Sequence, residues 1–266
     1  MKKLGIIGVG NMGGAIAEGI VKYNALPPED IILCDKSPEL SEKAEKLGVK
    51  AVTSPRQAAE AADILILAVK PKDSLAALKE AGSSLNGKAV ISIVAGLSYA
   101  AIDANFPERA FRVLVSIPNT PVKIGAGAVG LTVETNFTPD EKEFTQKLFE
   151  SMGIVEWIPE KSIAAFSAIS GSGPAYAALL IEAMGEGGAL SGLPISVAQR
   201  LAMQTVYGTG KLCLERGVHP AIIRTEVCSP GGTTIEAIAE LEKAGFRYGV
   251  MNAVHAAFKK FFELVG

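Results

Sequence analysis

A chain of 266 residues, 48% hydrophobic and 20% charged, carries enough apolar surface for one large core or two smaller ones, and its length favours two domains. A formal net charge of −2 and a pI near 5.9 supply no broad electropositive field, so small solutes rather than nucleic acid are the expected partners. Cys34, Cys213 and Cys228 are widely spaced and lack a C-x-x-C or nearby His pair, which indicates neither a disulfide framework nor a metal site. The short apolar run after Met1-Lys2-Lys3 lacks the length and cleavage site of a signal peptide, and a cytoplasmic protein is expected.

In chain order, strands are expected at residues 4–7, 31–34, 64–69, 89–94 and 111–115, with later strands of the same sheet at 127–133 and 154–158. These runs are continuously apolar rather than alternating, as in a parallel sheet covered on both faces. Between them, residues 11–23, 38–47, 56–62 and 75–81 have helical composition, with Ile16 and Ile20 spaced for one buried face. Beyond Pro159 the pattern changes to long helical stretches, interrupted near residues 171–174, 192–194, 217–220 and 229–232. The expected organisation is an α/β, Rossmann-like domain over residues 1–160 and an all-α domain over 161–266. Residues 162–181 contain no charge and approach the length of a membrane span. Four serines and the breaker Gly171-Ser172-Gly173-Pro174 favour helix packing, and no membrane is expected.

Gly8-Val9-Gly10-Asn11-Met12-Gly13 follows the first strand and opens the first helix, the context in which G-x-G-x-x-G binds a dinucleotide. Gly8 is expected to make the tight turn, Gly10 to let a diphosphate approach the backbone and Gly13 to let helix and strand pack closely, with the helix N-terminus facing the anion. Asp35 ends the second strand about 20 residues beyond the glycines, where an acidic side chain binds a ribose 2′-hydroxyl. Lys36 and Ser37 follow at once and suit a 2′-phosphate, or form only a solvated turn into Pro38. NADPH or NADH is therefore expected, with the balance slightly toward NADPH.

Two later segments also open helices: Ser170-Gly171-Ser172-Gly173-Pro174-Ala175-Tyr176 and Ser229-Pro230-Gly231-Gly232-Thr233-Thr234. The second exposes backbone N–H groups of Gly231 and Gly232 and two threonine hydroxyls where a helix accepts an anion such as a carboxylate. Together with the N-terminal fingerprint, Ala68-Val69-Lys70-Pro71, Val94-Ala95-Gly96-Leu97-Ser98 and Pro118-Asn119-Thr120-Pro121, these segments resemble the pyrroline-5-carboxylate reductase family, in the family's order from Leu4 to about Phe258.

The resemblance implies reduction of 1-pyrroline-5-carboxylate to L-proline with NAD(P)H, the last step of proline biosynthesis. It also implies a homodimer interlocked through the helical domain, in some members assembled into a larger ring. It places Val9, Asn11 and Met12 on the cofactor, Lys36 and Ser37 at its adenosine ribose, and Ala68, Val69, Lys70 and Ala95 along its nicotinamide side. Glu160, Glu226, Thr233 and Thr234 are the matching substrate positions, with Ser229, Gly231 and Gly232 of the same loop, and Thr234 is the expected catalytic residue. The chain departs from the family at Ile117, where Met is frequent, at Ser54 or Pro55, where an Asn is frequent, and at Asp35.

Two rival readings share the N-terminal half. A β-hydroxyacid dehydrogenase-like enzyme needs a lysine on a helix of the second domain, yet residues 162–200 contain none and Lys211 lacks that family's motif. A non-catalytic NAD(P) redox sensor has no need of the Ser229–Thr234 anion loop.

Overall fold

The computed structural model describes residues 2–265. The chain divides into two compact units, Met1–Gly171 with Lys260–Gly266, and Ser172–Lys259. The first is built on an eight-stranded sheet in the order β3-β2-β1-β4-β5-β6-β7-β8. Its strands are β1 (Leu4–Ile7), β2 (Ile31–Cys34), β3 (Lys50–Val52), β4 (Ile64–Leu67), β5 (Ala89–Ser92), β6 (Arg112–Pro118), β7 (Gly127–Thr135) and β8 (Gly153–Ile158). The interleaved helices are α1 (Asn11–Lys22), α2 (Leu40–Leu47), α3 (Pro55–Ala61), α4 (Pro71–Ala81), α5 (Tyr99–Asn105) and α6 (Pro139–Glu150).

The strands expected from sequence form, and alternate residues along them feed two separate cores. Leu4, Ile6, Ile31, Leu33, Ile64 and Ile66 pack with Ile16 and Ile20 of α1 on one face. Ile7, Ile32, Leu65 and Leu67 pack with Ala58 and Ala59 of α3 and Leu78 of α4 on the other. This double cover is why the strands read as unbroken apolar runs.

Helices α5 and α6 are not among the expected elements, and three further features differ from expectation. β3 is an additional edge strand, short and mostly exposed, with no apolar run to announce it. β7 runs antiparallel to β6 because a single 3-10 turn, Thr120–Ile124, joins them, too short for a parallel crossover. α4 starts at Pro71, where proline's missing N–H costs nothing at the first helical position.

After β8 the chain forms α7 (Ile163–Phe166) and a π-helical turn (Ser167–Gly171). The second unit holds α8 (Gly173–Leu190), α9 (Ile195–Arg216), α10 (Pro220–Glu226), α11 (Thr233–Lys243) and most of α12 (Phe246–Val265). The expected break at residues 171–174 is thus a π turn running into α8, not a loop. The stretch Glu160–Leu190 is long and apolar enough to cross a membrane by length and composition, and only 11% of its most apolar window is buried in this chain. The serine- and glycine-rich π turn interrupts its regular hydrogen bonding. Within α8 only Gly185 is buried, while Leu179 and Leu190 are 67% and 91% exposed, so the expected burial of this segment is not achieved by the single chain.

Candidate active site

The turn Gly8–Gly10 joins β1 to α1 at the carboxyl edge of the sheet. Gly8 has φ +96°, and a Cβ there would lie 2.7 Å from the backbone carbon and oxygen of Ala68 and 2.8 Å from the Val69 nitrogen. Glycine is therefore required both for the turn and for its contact with the end of β4. A Cβ on Gly13 would overlap the Gly8 carbonyl oxygen, whereas one on Gly10 would meet no atom within 4 Å. Gly10 thus presents bare backbone to solvent at the start of α1, which has no capping side chain and no acidic residue in its first turn. These are the properties of an anion-binding helix start. Asn11 is exposed and Met12 half-buried beside it.

Asp35 braces this loop. Its Oδ2 accepts a hydrogen bond from the Val9 amide at 2.6 Å and its Oδ1 accepts one from the Ser37 amide at 2.9 Å. The Val9 carbonyl in turn accepts one from Lys43 Nζ at 3.1 Å, a contact from α2 with no signal in the sequence. A cavity of about 330 Å³ lies beside the brace, lined by Gly8, Asp35, Lys36, Val69 and Glu80 among others. Lys36 Nζ pairs with Glu80 Oε2 at 3.2 Å, while the Ser37 hydroxyl accepts from the Glu39 amide. Burial, reinforced by the carboxylates of Asp35 and Glu80 and partly offset by Lys36, pushes the Cys34 thiol up to about 12.

A second cavity of about 330 Å³ opens at the ends of β5 and β6, lined by Met12, Ala95, Ser116, Ile117, Glu160 and Ser167 among others. Glu160 Oε1 accepts from the Tyr99 amide at 2.6 Å and Ser98 Oγ from the Ala101 amide at 3.0 Å, so both satisfy the first turn of α5. Ala68 packs against the core beside Gly13, and Lys70 is exposed as the residue preceding α4. Asn119 joins two of the motifs in space. Its buried Nδ2 donates to the Ser170 carbonyl at 3.0 Å and its Oδ1 accepts from the Ala128 amide at 2.8 Å, tying the π turn to β7. Among the described residues, Ser116 Oγ is the buried side-chain polar atom without a hydrogen-bond partner.

In the second unit the Ser229–Gly232 turn leads into α11. Gly231 has φ +66°, and a Cβ on Gly232 would overlap Ser229 Oγ. Gly232, the residue before α11, supplies no capping side chain, so the first-turn amides of Thr233 and Thr234 are open to an anion. Glu226 forms a forked pair with Arg216, at 2.6 and 2.8 Å, that holds its carboxyl below the usual carboxylate range. His219 Nδ1 accepts from the Ala221 amide as the cap of α10, and His255 stacks beside Phe258, so neither is arranged as a base. Among the described residues no group of three or more His, Cys, Asp or Glu side chains gathers as for a metal ion.

The nucleotide-binding residues expected from sequence therefore gather at the carboxyl edge of the sheet, and Ser229, Gly231, Gly232, Thr233 and Thr234 gather at the start of α11. Sequence reasoning missed Glu80 and Lys43, each remote in sequence from the loop residues it contacts.

Comparison with known proteins bears on what these two sites do. Residues 160–264 match the family model described as pyrroline-5-carboxylate reductase dimerisation, and residues 3–96 match that described as NADP oxidoreductase coenzyme F420-dependent. The chain is 40% identical to the pyrroline-5-carboxylate reductase of Synechocystis sp. over 98% of both chains. It is 37% identical to that of Escherichia coli over 97% of both. The solved pyrroline-5-carboxylate reductase of Coxiella burnetii superposes with a TM-score of 0.91 at 34% identity, covering 100% of this chain and 99% of the other. The Plasmodium falciparum pyrroline carboxylate reductase, solved with NADP bound, gives 0.88 at 30% identity over 100% and 98%. An α/β unit with a glycine turn at the head of α1, a glycine turn opening α11, and 37–40% identity to curated reductases over 97–98% of the chain lead to one conclusion: the chain belongs to the pyrroline-5-carboxylate reductase family.

Proposed function

We propose that the glycine loop holds the diphosphate of NAD(P)H and that the Ser229–Thr234 loop holds the carboxylate of 1-pyrroline-5-carboxylate, which is reduced to L-proline. Family membership makes the chain an NAD(P)H-dependent oxidoreductase acting on the C=N bond of a cyclic imine, in proline biosynthesis, and its helical region a dimerisation domain. Neither the sensor nor the dehydrogenase reading is favoured beside full-length identity to reductases. The observation that carries the site assignment is the pair of uncapped helix starts, α1 and α11, each opened by a glycine turn.

The residues present fit the dinucleotide. Gly10 leaves open the space that a Cβ would occupy at the head of α1, Gly8 and Val9 form the turn, and Asn11, Met12 and Gly13 supply the first-turn amides. Asp35, Lys36 and Ser37 take the adenosine ribose, and Ala68, Val69, Lys70 and Ala95 line the nicotinamide side. When bound, the cofactor supplies the hydride for the imine carbon. The amides of Thr233 and Thr234 hold the substrate carboxylate against the positive end of α11, whereas the Gly232 amide, expected from sequence to be open, donates to the Ser229 carbonyl at 3.1 Å and closes the turn instead. The Thr234 hydroxyl hydrogen-bonds the ring nitrogen and passes it a proton from water, since a threonine is too weak an acid to donate by its own ionisation. Ser229 and Gly231 set the turn, Glu160 satisfies the Tyr99 amide at the head of α5, and Glu226 is held by Arg216.

The division of roles falls near residue 160, the start of the matched dimerisation model. The exposed apolar side chains of α8 and α9 support pairing of two copies, with a ring of such dimers as the larger assembly. The serines and the π turn within the apolar stretch Glu160–Leu190 support a cytoplasmic protein that enters no membrane, and a net charge of −2 supports the absence of a nucleic-acid partner.

The test is oxidation of NADH and NADPH, followed by absorbance, with added pyrroline-5-carboxylate. Turnover is expected with either cofactor, and its absence with both refutes the reading in favour of a sensor. Thr234→Ala lowers kcat by about 10²-fold or more while Thr234→Ser keeps most of it. Wild-type kcat and kcat/KM in Thr234→Ala would remove Thr234 from the mechanism.

A further inference from the structure

We propose that Glu80 is a specificity-determining residue: by holding Lys36 it weakens the grip of the adenosine-end cavity on a 2′-phosphate and so keeps NADH competitive with NADPH. The inference rests on the nucleotide reading of that cavity given above. Lys36 is the cation among the residues lining the cavity, against the carboxylates of Asp35, Asp73 and Glu80. Its ammonium lies 3.2 Å from Glu80 Oε2. Asp35 spends both oxygens on the backbone amides of Val9 and Ser37, which fixes a negative charge beside the end of β2. A 2′-phosphate entering here must displace Glu80 from Lys36 and then share that ammonium in the field of three carboxylates. A ribose 2′-hydroxyl meets no such opposition and finds acceptors.

Cys34 lines the same cavity, and although burial is the chief cause of its raised pKa, the carboxylates of Asp35 and Glu80 each raise it further while Lys36 lowers it by less. Glu80 sits on α4 and Lys36 follows β2, 44 residues apart, so the pair is a product of the fold. With side chains 77% and 39% exposed, the pair is open to exchange with a ligand.

The test is calorimetric binding of two probes, 2′,5′-ADP and 5′-ADP, to the full-length protein and to Glu80→Gln, Lys36→Gln and the double variant. Glu80→Gln is expected to tighten 2′,5′-ADP by about three- to ten-fold while changing 5′-ADP by less than about two-fold, and the gain shrinks at high salt. The gain is also expected to fall by at least half in the Lys36→Gln background, because Glu80 acts through Lys36. An unchanged ratio of the two affinities, or equal changes in both, overturns the proposal. So does a gain that survives undiminished without Lys36. A wild-type protein that binds neither probe refutes the nucleotide reading itself, and the role of Glu80 falls with it.

Discussion

The three glycines of the fingerprint make separable demands, and replacing each by alanine should separate them. At Gly8 an alanine must hold φ +96°, at a cost of about 1–2 kcal/mol. It must also push back the Ala68 and Val69 backbone atoms that its Cβ would meet at 2.7–2.8 Å, adding about 1–3 kcal/mol of overpacking. The sum, about 2–5 kcal/mol, lowers Tm by about 5–15 °C for a chain of this size. Gly13→Ala behaves similarly, because its Cβ meets the Gly8 carbonyl rather than a movable side chain. Gly10 is the contrast. With φ −71° and no atom within 4 Å of a Cβ, Gly10→Ala leaves the unliganded protein within about 0.5 kcal/mol of wild type, or slightly stabilised through a less flexible unfolded chain. Its methyl group nevertheless occupies that space and weakens NADPH binding by about ten-fold or more. Thermal unfolding without ligand and NADPH titration by fluorescence measure the two effects. If Gly10→Ala destabilises the free protein as much as Gly8→Ala, or binds NADPH normally, the assignment of the loop is wrong.

Other groups give independent tests. Burial raises the Glu141 carboxyl pKa, but hydrogen bonds from Arg112 at 2.7–3.0 Å and from Thr138 together bring it below the ordinary value. Its contribution to stability is therefore complete above the unfolded carboxylate pKa of about 4.3 and fades as pH falls through the lower folded value. Glu141→Gln should flatten the acid limb of the stability–pH curve and lower stability near neutrality by about 2–4 kcal/mol. An unchanged acid limb in a urea titration series contradicts the pairing. Ser116→Ala removes a buried hydroxyl that has no protein partner, so Tm should hold or rise, and a clear fall would mean that the hydroxyl is bonded in solution. Asn119→Ala strands the Ala128 amide and the Ser170 carbonyl, at about 1–3 kcal/mol, and should speed hydrogen exchange at both β7 and the π turn rather than at one of them.

Most of the sheet was legible because a doubly covered strand must be apolar along its whole length, as Leu4–Ile7 and Ile64–Leu67 are. β3 escaped notice for the opposite reason: an edge strand pairs through backbone alone, and Lys50 and Ala51 bury no side chain. Helix α6 carried a readable signal that went unused, the Thr138–Glu141 capping box ahead of Pro139 and Asp140. At the site, the glycine tasks followed from residue type and context, since a missing Cβ means the same thing before and after folding. Polar side chains were harder, because their partners are set by tertiary contact. The place of Asp35 at the end of β2 points to a ribose ligand, yet its role as a brace depends on the Val9 amide coming within 2.6 Å. Glu226 likewise carries an Arg216 partner that its local sequence does not indicate.

The bond from Asn119 to Ser170 spans 51 residues and fastens the π turn to a strand pair made earlier in the chain. During synthesis the ribosome delivers Asn119 first, and its acceptor emerges only after β7, α6 and β8. The turn that launches the helical region can therefore gain this anchor only after the chain through β8 has been made. The first unit is not complete even then, because its last piece, from Lys260 onward, is the final stretch of the chain to be synthesised.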